Sequence, residues 1–233
     1  MNQHINFSVI LQGQYAGILI KGIELTFELA LFSWILAFVL GVVLATIRMT
    51  NNRIAKGLVS AFVAYHRNVP MLVQIMMWYF ALPSLLPQAT QMWINQYNGE
   101  FLFSVIAIGL CMAAYISEDI RSGLRGIPHG QFEASRALGL SYIRSMWYVI
   151  LPQAMRIAIP PLVNHTVLLF KNSSLAMAIG VAELTYATRQ VENYTFRTFE
   201  SYMVASVFYL LLSLVIMAAG ALLTRHYRIP GSR

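Results

Sequence analysis

Charged residues are scarce in this sequence. Only 11% of the 233 residues are Asp, Glu, Lys or Arg, and 58% are hydrophobic, whereas a soluble domain usually carries about 25% charged residues. A helix that crosses a bilayer needs roughly 20 mostly apolar residues. The composition therefore predicts a multi-pass membrane protein with little length left for a soluble domain.

Cysteine and processing signals are equally sparse. The single cysteine, Cys111, lies inside an apolar run, so no disulfide can form within the chain and we expect a small buried hydrophobe there. The first residues lack the basic region, short apolar core and small-residue cleavage site of a signal peptide. We expect no cleaved signal peptide.

The motifs of the common catalytic classes are also absent. A phosphate-binding loop needs glycine directly before its lysine, but Lys21, Lys56 and Lys171 follow isoleucine, alanine and phenylalanine. The sequence has no His-Glu-x-x-His zinc motif, no nucleophile elbow and no aromatic-basic nucleic-acid motif. We predict a chain that is not an enzyme, holds no metal or cofactor, and binds no nucleic acid.

Five long apolar runs follow one another along the chain. They cover approximately residues 17–49, 58–86, 101–120, 147–170 and 202–223, and Pro160-Pro161 is expected to interrupt the fourth. In hydrocarbon only helices or closed barrels satisfy the backbone, and these runs are too long for barrel strands. The prediction is one all-α integral membrane domain over residues 1–233, with about five transmembrane helices.

Basic residues predict the orientation of these helices. The net charge of +7 comes from arginines and lysines beside the apolar runs, and cytoplasmic loops are rich in such residues. They cluster after the first run (Arg48, Arg53, Lys56), after the third (Arg121, Arg125, Arg136, Arg144) and in the C-terminal tail, while residues 87–100 have none. We expect the N-terminus outside and the C-terminus in the cytoplasm.

The connection at residues 128–146 is predicted to form two short helices on the cytoplasmic side. Strong helix formers end at Gly139, which can take the left-handed closing conformation, and Ser141 is a suitable N-cap for the second helix. Phe132, Ala137 and Leu138 can share an apolar face. Such a segment either docks into a groove of a partner protein or lies on the lipid surface.

The same connection resembles the signature of permease subunits of ATP-binding-cassette (ABC) importers. That signature is Glu-Ala-Ala, three residues, Gly, nine residues and Ile-x-Leu-Pro. Here Glu133-Ala134-Ser135 precedes Gly139 at the expected spacing, and Val149-Ile150-Leu151-Pro152 closes the motif. Ser135 and Val149 are small departures from it.

Other segments resemble the polar amino acid branch of these permeases. They are 66–74 (His-Arg-Asn-Val-Pro-Met-Leu-Val-Gln), the positions Tyr115, Glu118, Arg121 and Gly123, and 171–175 (Lys-Asn-Ser-Ser-Leu). The likeness runs from the first apolar run to about Ile229-Pro230. Residues 67–70 and 78–80 resemble the glutamate/aspartate permeases more than the arginine or histidine ones.

The resemblance implies a MetI-like type I importer permease in the bacterial cytoplasmic (inner) membrane. Its partners would be an ABC ATPase dimer that binds the ATP, a second homologous or identical permease subunit, and an extracytoplasmic amino-acid-binding protein. The residues implied in coupling to the ATPase are Glu133, Ala134, Ser135, Arg136, Ala137, Leu138, Gly139, Leu151 and Pro152.

Polar residues within the apolar runs are candidates for the substrate pathway, because ionisable groups in a membrane usually line cavities or pair with one another. The candidates are Glu28, Asn68, Gln74, His165, Lys171, Asn172 and Ser173. In the basic-amino-acid permeases the positions that match His165 and Asn172 tend to be acidic. Their replacement here favours an acidic or uncharged cargo, with glutamate or aspartate first.

Three alternatives stay open at this point. The cargo can be a neutral or basic amino acid, or the partner permease alone can hold the substrate site. An ion-coupled secondary transporter is the rival class; it would need a membrane-embedded acid, for which Glu28 is the one plausible residue, and many such proteins have internal repeats, which are not visible here.

Overall fold

The computed structural model describes residues 5–50 and 52–226 and is all-helical within them, with no strand. Its α-helices are α1 (Gly13–Met49), α2 (Arg53–Asn68), α3 (Met71–Met76), α4 (Gln88–Gln96), α5 (Gly99–Arg125), α6 (His129–Ala137), α7 (Tyr142–Ser145), α8 (Leu151–Asn172), α9 (Leu184–Thr195) and α10 (Thr198–His226). Wider π turns continue α3 (Met77–Ala81) and join α7 to α8 (Met146–Ile150), and the chain follows α8 with a 3₁₀ segment, Ser173–Ile179. The predicted all-α class is confirmed.

Four helical stretches in the described residues are long and apolar enough to cross a membrane. They are Gly13–Met49, Gly99–Arg125, Tyr142–Ile179 and Thr198–Arg225, and a shorter apolar helical stretch covers Met71–Leu85. α1 and α10 expose large apolar side chains along their length, including Ile20, Leu31, Val39, Leu211, Leu214 and Val215. Such faces suit lipid or a partner helix, so the chain is a multi-pass membrane protein.

The helical boundaries differ from the sequence expectation in two places. The run at 58–86 is divided, because α2 ends at Asn68 and Val69 takes an extended conformation (ψ 131°) before Pro70, as a residue preceding proline prefers. By contrast, the expected interruption at Pro160-Pro161 is absent, since α8 continues through both prolines. The two prolines only remove amide donors inside a helix that packing holds together.

α5 lies at the centre of the molecule, and α1, α2, α3 and α8 pack against it. Three glycines allow the backbones to approach closely, as is common between membrane helices. A Cβ added at Gly41 would lie 2.7 Å from Ile116, one at Gly109 2.6 Å from Leu36, and one at Gly123 2.6 Å from the carbonyl oxygen of Ala154. This packing places the polar side chains of α5 between α1, α2 and α8.

Candidate functional site

The segment predicted to couple to an ATPase is folded as two helices separated by a tight cap. At the end of α6 the amide of Gly139 donates to the carbonyl of Arg136 (2.9 Å), and the amide of Leu140 donates to that of Ser135 (3.2 Å). Gly139 has φ +81°, the left-handed conformation that closes a helix. The predicted cap is confirmed.

Further local contacts fix the path from α6 into α8. The Ser141 hydroxyl accepts from the Arg144 amide (3.4 Å) and so caps α7, while an Arg136 guanidinium N–H donates to the carbonyl of Leu140 (2.7 Å). Ser135 is buried, and its hydroxyl donates to the carbonyl of Phe132 (2.7 Å). Pro152 lies in the first turn of α8, directly after the π turn Met146–Ile150.

α6 and α7 present an exposed surface of mixed polarity. The predicted apolar face of Phe132, Ala137 and Leu138 is divided, because Phe132 packs edge-to-face on Tyr142 with ring centroids 5.5 Å apart. Ala137 and Leu138 stay exposed, Leu138 at 83%, and Glu133 is exposed too. Exposed apolar and charged side chains on one short, capped helix suit recognition by another protein.

Two neighbouring cavities lie between α2 and α5; α3 and α8 complete the smaller one, and Arg48 of α1 completes the larger one. The smaller, about 230 Å³, is lined by His66, Arg67, Asn68, Val69, Pro70, Met71, Cys111, Met112, Tyr115, Leu168 and Asn172. The larger, about 360 Å³, is lined by Arg48, Ser60, Val63, Ala64, Arg67, Asn68, Tyr115 and Glu118. They share Arg67, Asn68 and Tyr115, so one polar wall faces both.

The two cavity arginines differ in their partners. Arg48 pairs with Glu118 and also donates to Ser60 Oγ (2.9 Å), while Glu118 accepts a second ion pair from Arg121 (3.0 Å). The guanidinium of Arg67 instead lies 5.3 Å above the centre of the Tyr115 ring, and in the described residues it faces no carboxylate within ion-pair distance. Arg67 therefore supplies positive charge that an anion can use.

The predicted pathway residues fall into four groups. Asn68 and Asn172 line the cavities. Gln74 is fully buried beneath the turn: its amide donates to the carbonyls of Val69 (2.7 Å) and His66 (3.0 Å) and accepts from His66 Nδ1 (2.6 Å).

Ser173 is likewise fully buried, with its hydroxyl on the carbonyl of Phe170 (2.6 Å). Gln74 and Ser173 thus support the local backbone, and neither belongs to the walls of the two cavities. Glu28 and Lys171 are exposed and lie outside those walls too.

His165, the remaining candidate, pairs with a residue that the sequence reasoning did not single out. Its Nδ1–H donates to Asp119 Oδ2 (2.5 Å), which joins α8 to α5. Asp119 is 8% exposed. Because the two residues are 46 positions apart and no motif links them, nothing in the sequence could have paired them.

Comparison with known proteins identifies the family. Residues 37–229 match the family described as "Binding-protein-dependent transport system inner membrane component". The glutamate/aspartate import permease protein GltJ of Escherichia coli (strain K12) is 33% identical over 222 residues, which cover 94% of this chain and 90% of that protein.

Two solved structures share the fold. An amino acid ABC transporter crystallised with histidines matches with a TM-score of 0.83 at 27% identity, covering 96% of this chain and all of that one. The inward-facing methionine ABC transporter MetNI matches with a TM-score of 0.71 at 19% identity over 94% of this chain. The chain belongs to the inner-membrane components of binding-protein-dependent transport systems, and it is a multi-pass amino acid ABC permease with the MetI-type fold.

Proposed function

We propose that this chain is the permease subunit of an importer for glutamate and aspartate, and that an ATPase bound at α6 drives its alternating access. The observation that carries the proposal is the capped helix α6, whose Glu133 and Leu138 are exposed before the left-handed Gly139. A rigid projecting helix can transmit the closure of a partner dimer to the membrane helices through α8. No phosphate-binding loop is present, so ATP would be bound by that partner.

The acidic cargo is supported by the charge of the cavities. Arg67 is available to a carboxylate, and the amides of Asn68 and Asn172 can bind either carboxylate or ammonium groups. No carboxylate lines the smaller cavity, as a site for a cationic side chain would require. The relation to GltJ, whose name states glutamate and aspartate, points in the same direction.

The remaining partners follow from the same proposal. A second permease subunit would complete the pathway, and a binding protein outside the membrane would deliver the amino acid. The positive-inside pattern supports a cytoplasmic position for α6 and the C-terminus. His165, Lys171 and Glu28 are proposed to contribute to the pathway in the assembled pair, with Gln74 and Ser173 as supports.

The rival cargo is a basic amino acid, because a related transporter was crystallised with histidines. Uptake of labelled glutamate into proteoliposomes that contain the whole complex distinguishes the two, with unlabelled aspartate, glutamine and arginine as competitors. We expect aspartate to compete and arginine to fail. Competition by arginine but not by aspartate would contradict the proposed cargo.

The Arg67→Gln variant tests the site itself. A hydrogen bond to a charged group contributes about 1.5–3 kcal/mol, so we expect the KM for glutamate to rise at least about tenfold. Arg53→Gln is the matched control, since Arg53 is the exposed arginine at the other end of α2. Equal KM values for the two variants would show that Arg67 does not bind the substrate.

A further inference from the structure

α4 (Gln88–Gln96) is a short helix that exposes apolar side chains on one side. Met92 and Trp93 are exposed, Trp93 at 57%, and so is Tyr97, which follows the last helical residue. The rings of Trp93 and Tyr97 lie about one turn apart, with centroids separated by 5.2 Å. Ile94 is buried instead, and α4 packs against α5. Lipid or another protein can therefore contact the side of α4 that carries Trp93.

The other side of α4 is polar and carries no charge. Gln88 is exposed, and at 3.6 residues per turn it lies about 140° around the helix axis from Trp93. The side-chain amide of Gln91 donates to the carbonyl of Leu86 (2.9 Å). Residues 87–99 contain no Asp, Glu, Lys or Arg. An amphipathic helix with Trp and Tyr on its apolar side suits the boundary between lipid headgroups and acyl chains.

The neighbouring helices place α4 at a membrane surface. Asn98, with φ +58°, turns the chain from α4 into α5, and α5 is long and apolar enough to cross a membrane. Before α4, Phe80 and Leu85 are exposed parts of the apolar stretch Met71–Leu85. α4 thus connects two apolar membrane helices at the end of α5 opposite to α6, so the lipid around those helices lies within reach of Trp93.

We propose that α4 lies in the boundary between headgroups and acyl chains, inserts Met92, Trp93 and Tyr97 into the lipid, and so anchors the stretch Met71–Leu85. The opposite end of that stretch begins beside Pro70, and both Pro70 and Met71 line the smaller cavity. The lipid surface is then the partner that holds one wall of this cavity in place. This role of α4 is independent of which amino acid is carried.

Spin labels on α4 test where the helix lies. Cys111 is the only cysteine and is 3% exposed, so wild type serves as the unlabelled control. Trp93→Cys and Ala89→Cys put a label on the apolar side, and Gln88→Cys puts one on the polar side, all at exposed positions. With the full chain in liposomes, we expect collisions with oxygen, which concentrates in lipid, to exceed collisions with a water-soluble nickel chelate at positions 89 and 93. The order should reverse at position 88.

Two results would overturn the lipid contact. A label at positions 89 and 93 that collides mainly with the nickel chelate would place the apolar side of α4 in water. A label there that neither reagent reaches would show that a protein, such as a second copy of this chain, covers this side.

Amide hydrogen exchange tests the anchoring. Trp93→Gln removes the largest apolar group from α4, so we expect the amides of residues 77–85 to exchange several-fold faster than in wild type, because the end of their helix is released. Gln88→Ala is the matched control on the polar side and should leave the exchange unchanged. Equal exchange in Trp93→Gln and wild type would show that α4 does not hold this stretch, and would overturn the proposed anchor.

Discussion

Glu183 is a buried carboxylate that connects α9 to α10. Its two oxygens accept from the amides of Thr185 (2.8 Å) and Tyr186 (3.0 Å), so it caps α9. It also accepts from the hydroxyl of Tyr209 on α10 (2.9 Å). Burial raises the pKa of this carboxyl above its ordinary value, although these hydrogen bonds act to lower it.

The raised pKa of Glu183 predicts how stability depends on pH. An acid whose pKa is higher in the folded state contributes stability below its unfolded pKa and loses that contribution as pH rises through the folded value. We expect the thermal midpoint of the purified complex to fall as pH increases above 4.5, the unshifted pKa. Glu183→Gln should flatten this dependence, whereas Glu24→Gln, at an exposed position of α1, should not. Equal slopes in wild type and Glu183→Gln would contradict the assignment.

Single residues were predictable where the cause is local. Gly139 and Ser141 were predicted from the sequence, because a left-handed cap and an N-cap depend on a few neighbouring residues. The Asp119–His165 pair was not, since the packing of α5 on α8 creates it. Gln74 was placed in the pathway, although its amide is consumed by the turn before Pro70.

At the scale of elements, proline has opposite effects at two places in the chain: the helical run is divided at Pro70, whereas α8 continues through its two prolines. Proline ends α2 where the preceding Val69 is free to extend. In α8, Pro160 and Pro161 lie in a helix held by α5 and α10. Composition indicates a helical run in both cases, but only tertiary contacts decide whether it breaks.

The cap of α6 gives a matched pair of glycine substitutions. Gly139 has φ +81° and Gly130 is an ordinary helical residue with open space around it. An alanine in the left-handed conformation costs roughly 1–2 kcal/mol, while alanine inside a helix is favoured over glycine. We expect Gly139→Ala to weaken co-purification with the ATPase several-fold and Gly130→Ala to leave it intact. Equal recovery of the ATPase with both variants would show that the left-handed cap at Gly139 is not needed for binding the ATPase.

A second glycine pair tests the packing of α1 on α9. A Cβ at Gly22 would lie 2.6 Å from that of Ala187, whereas one at Gly17 meets no atom within 4 Å. Because overpacking costs typically about 1–3 kcal/mol, Gly22→Ala should lower the thermal midpoint of the complex and Gly17→Ala should not. An unchanged midpoint in Gly22→Ala would show that this contact can relax without cost.

At the scale of the whole molecule, a packed centre of α1, α5 and α8 carries the two polar cavities, while α10 exposes its apolar face. The all-helical membrane class follows from composition and run length, and the family from the motif around Gly139 and the matched residues 37–229. The cavities depend on how α5 packs against α1, α2 and α8, which no local pattern encodes. A central bundle joined to an exposed capped helix suits the proposed coupling to an ATPase.

The most direct measurement of that role is glutamate uptake by proteoliposomes that contain the permease pair with its binding protein, with and without the ATPase subunit. We predict uptake only when the ATPase and ATP are both present, and no ATP hydrolysis by the permease alone. Glutamate uptake without the ATPase, driven by an ion gradient, or ATP hydrolysis by this chain alone would contradict the proposed mechanism.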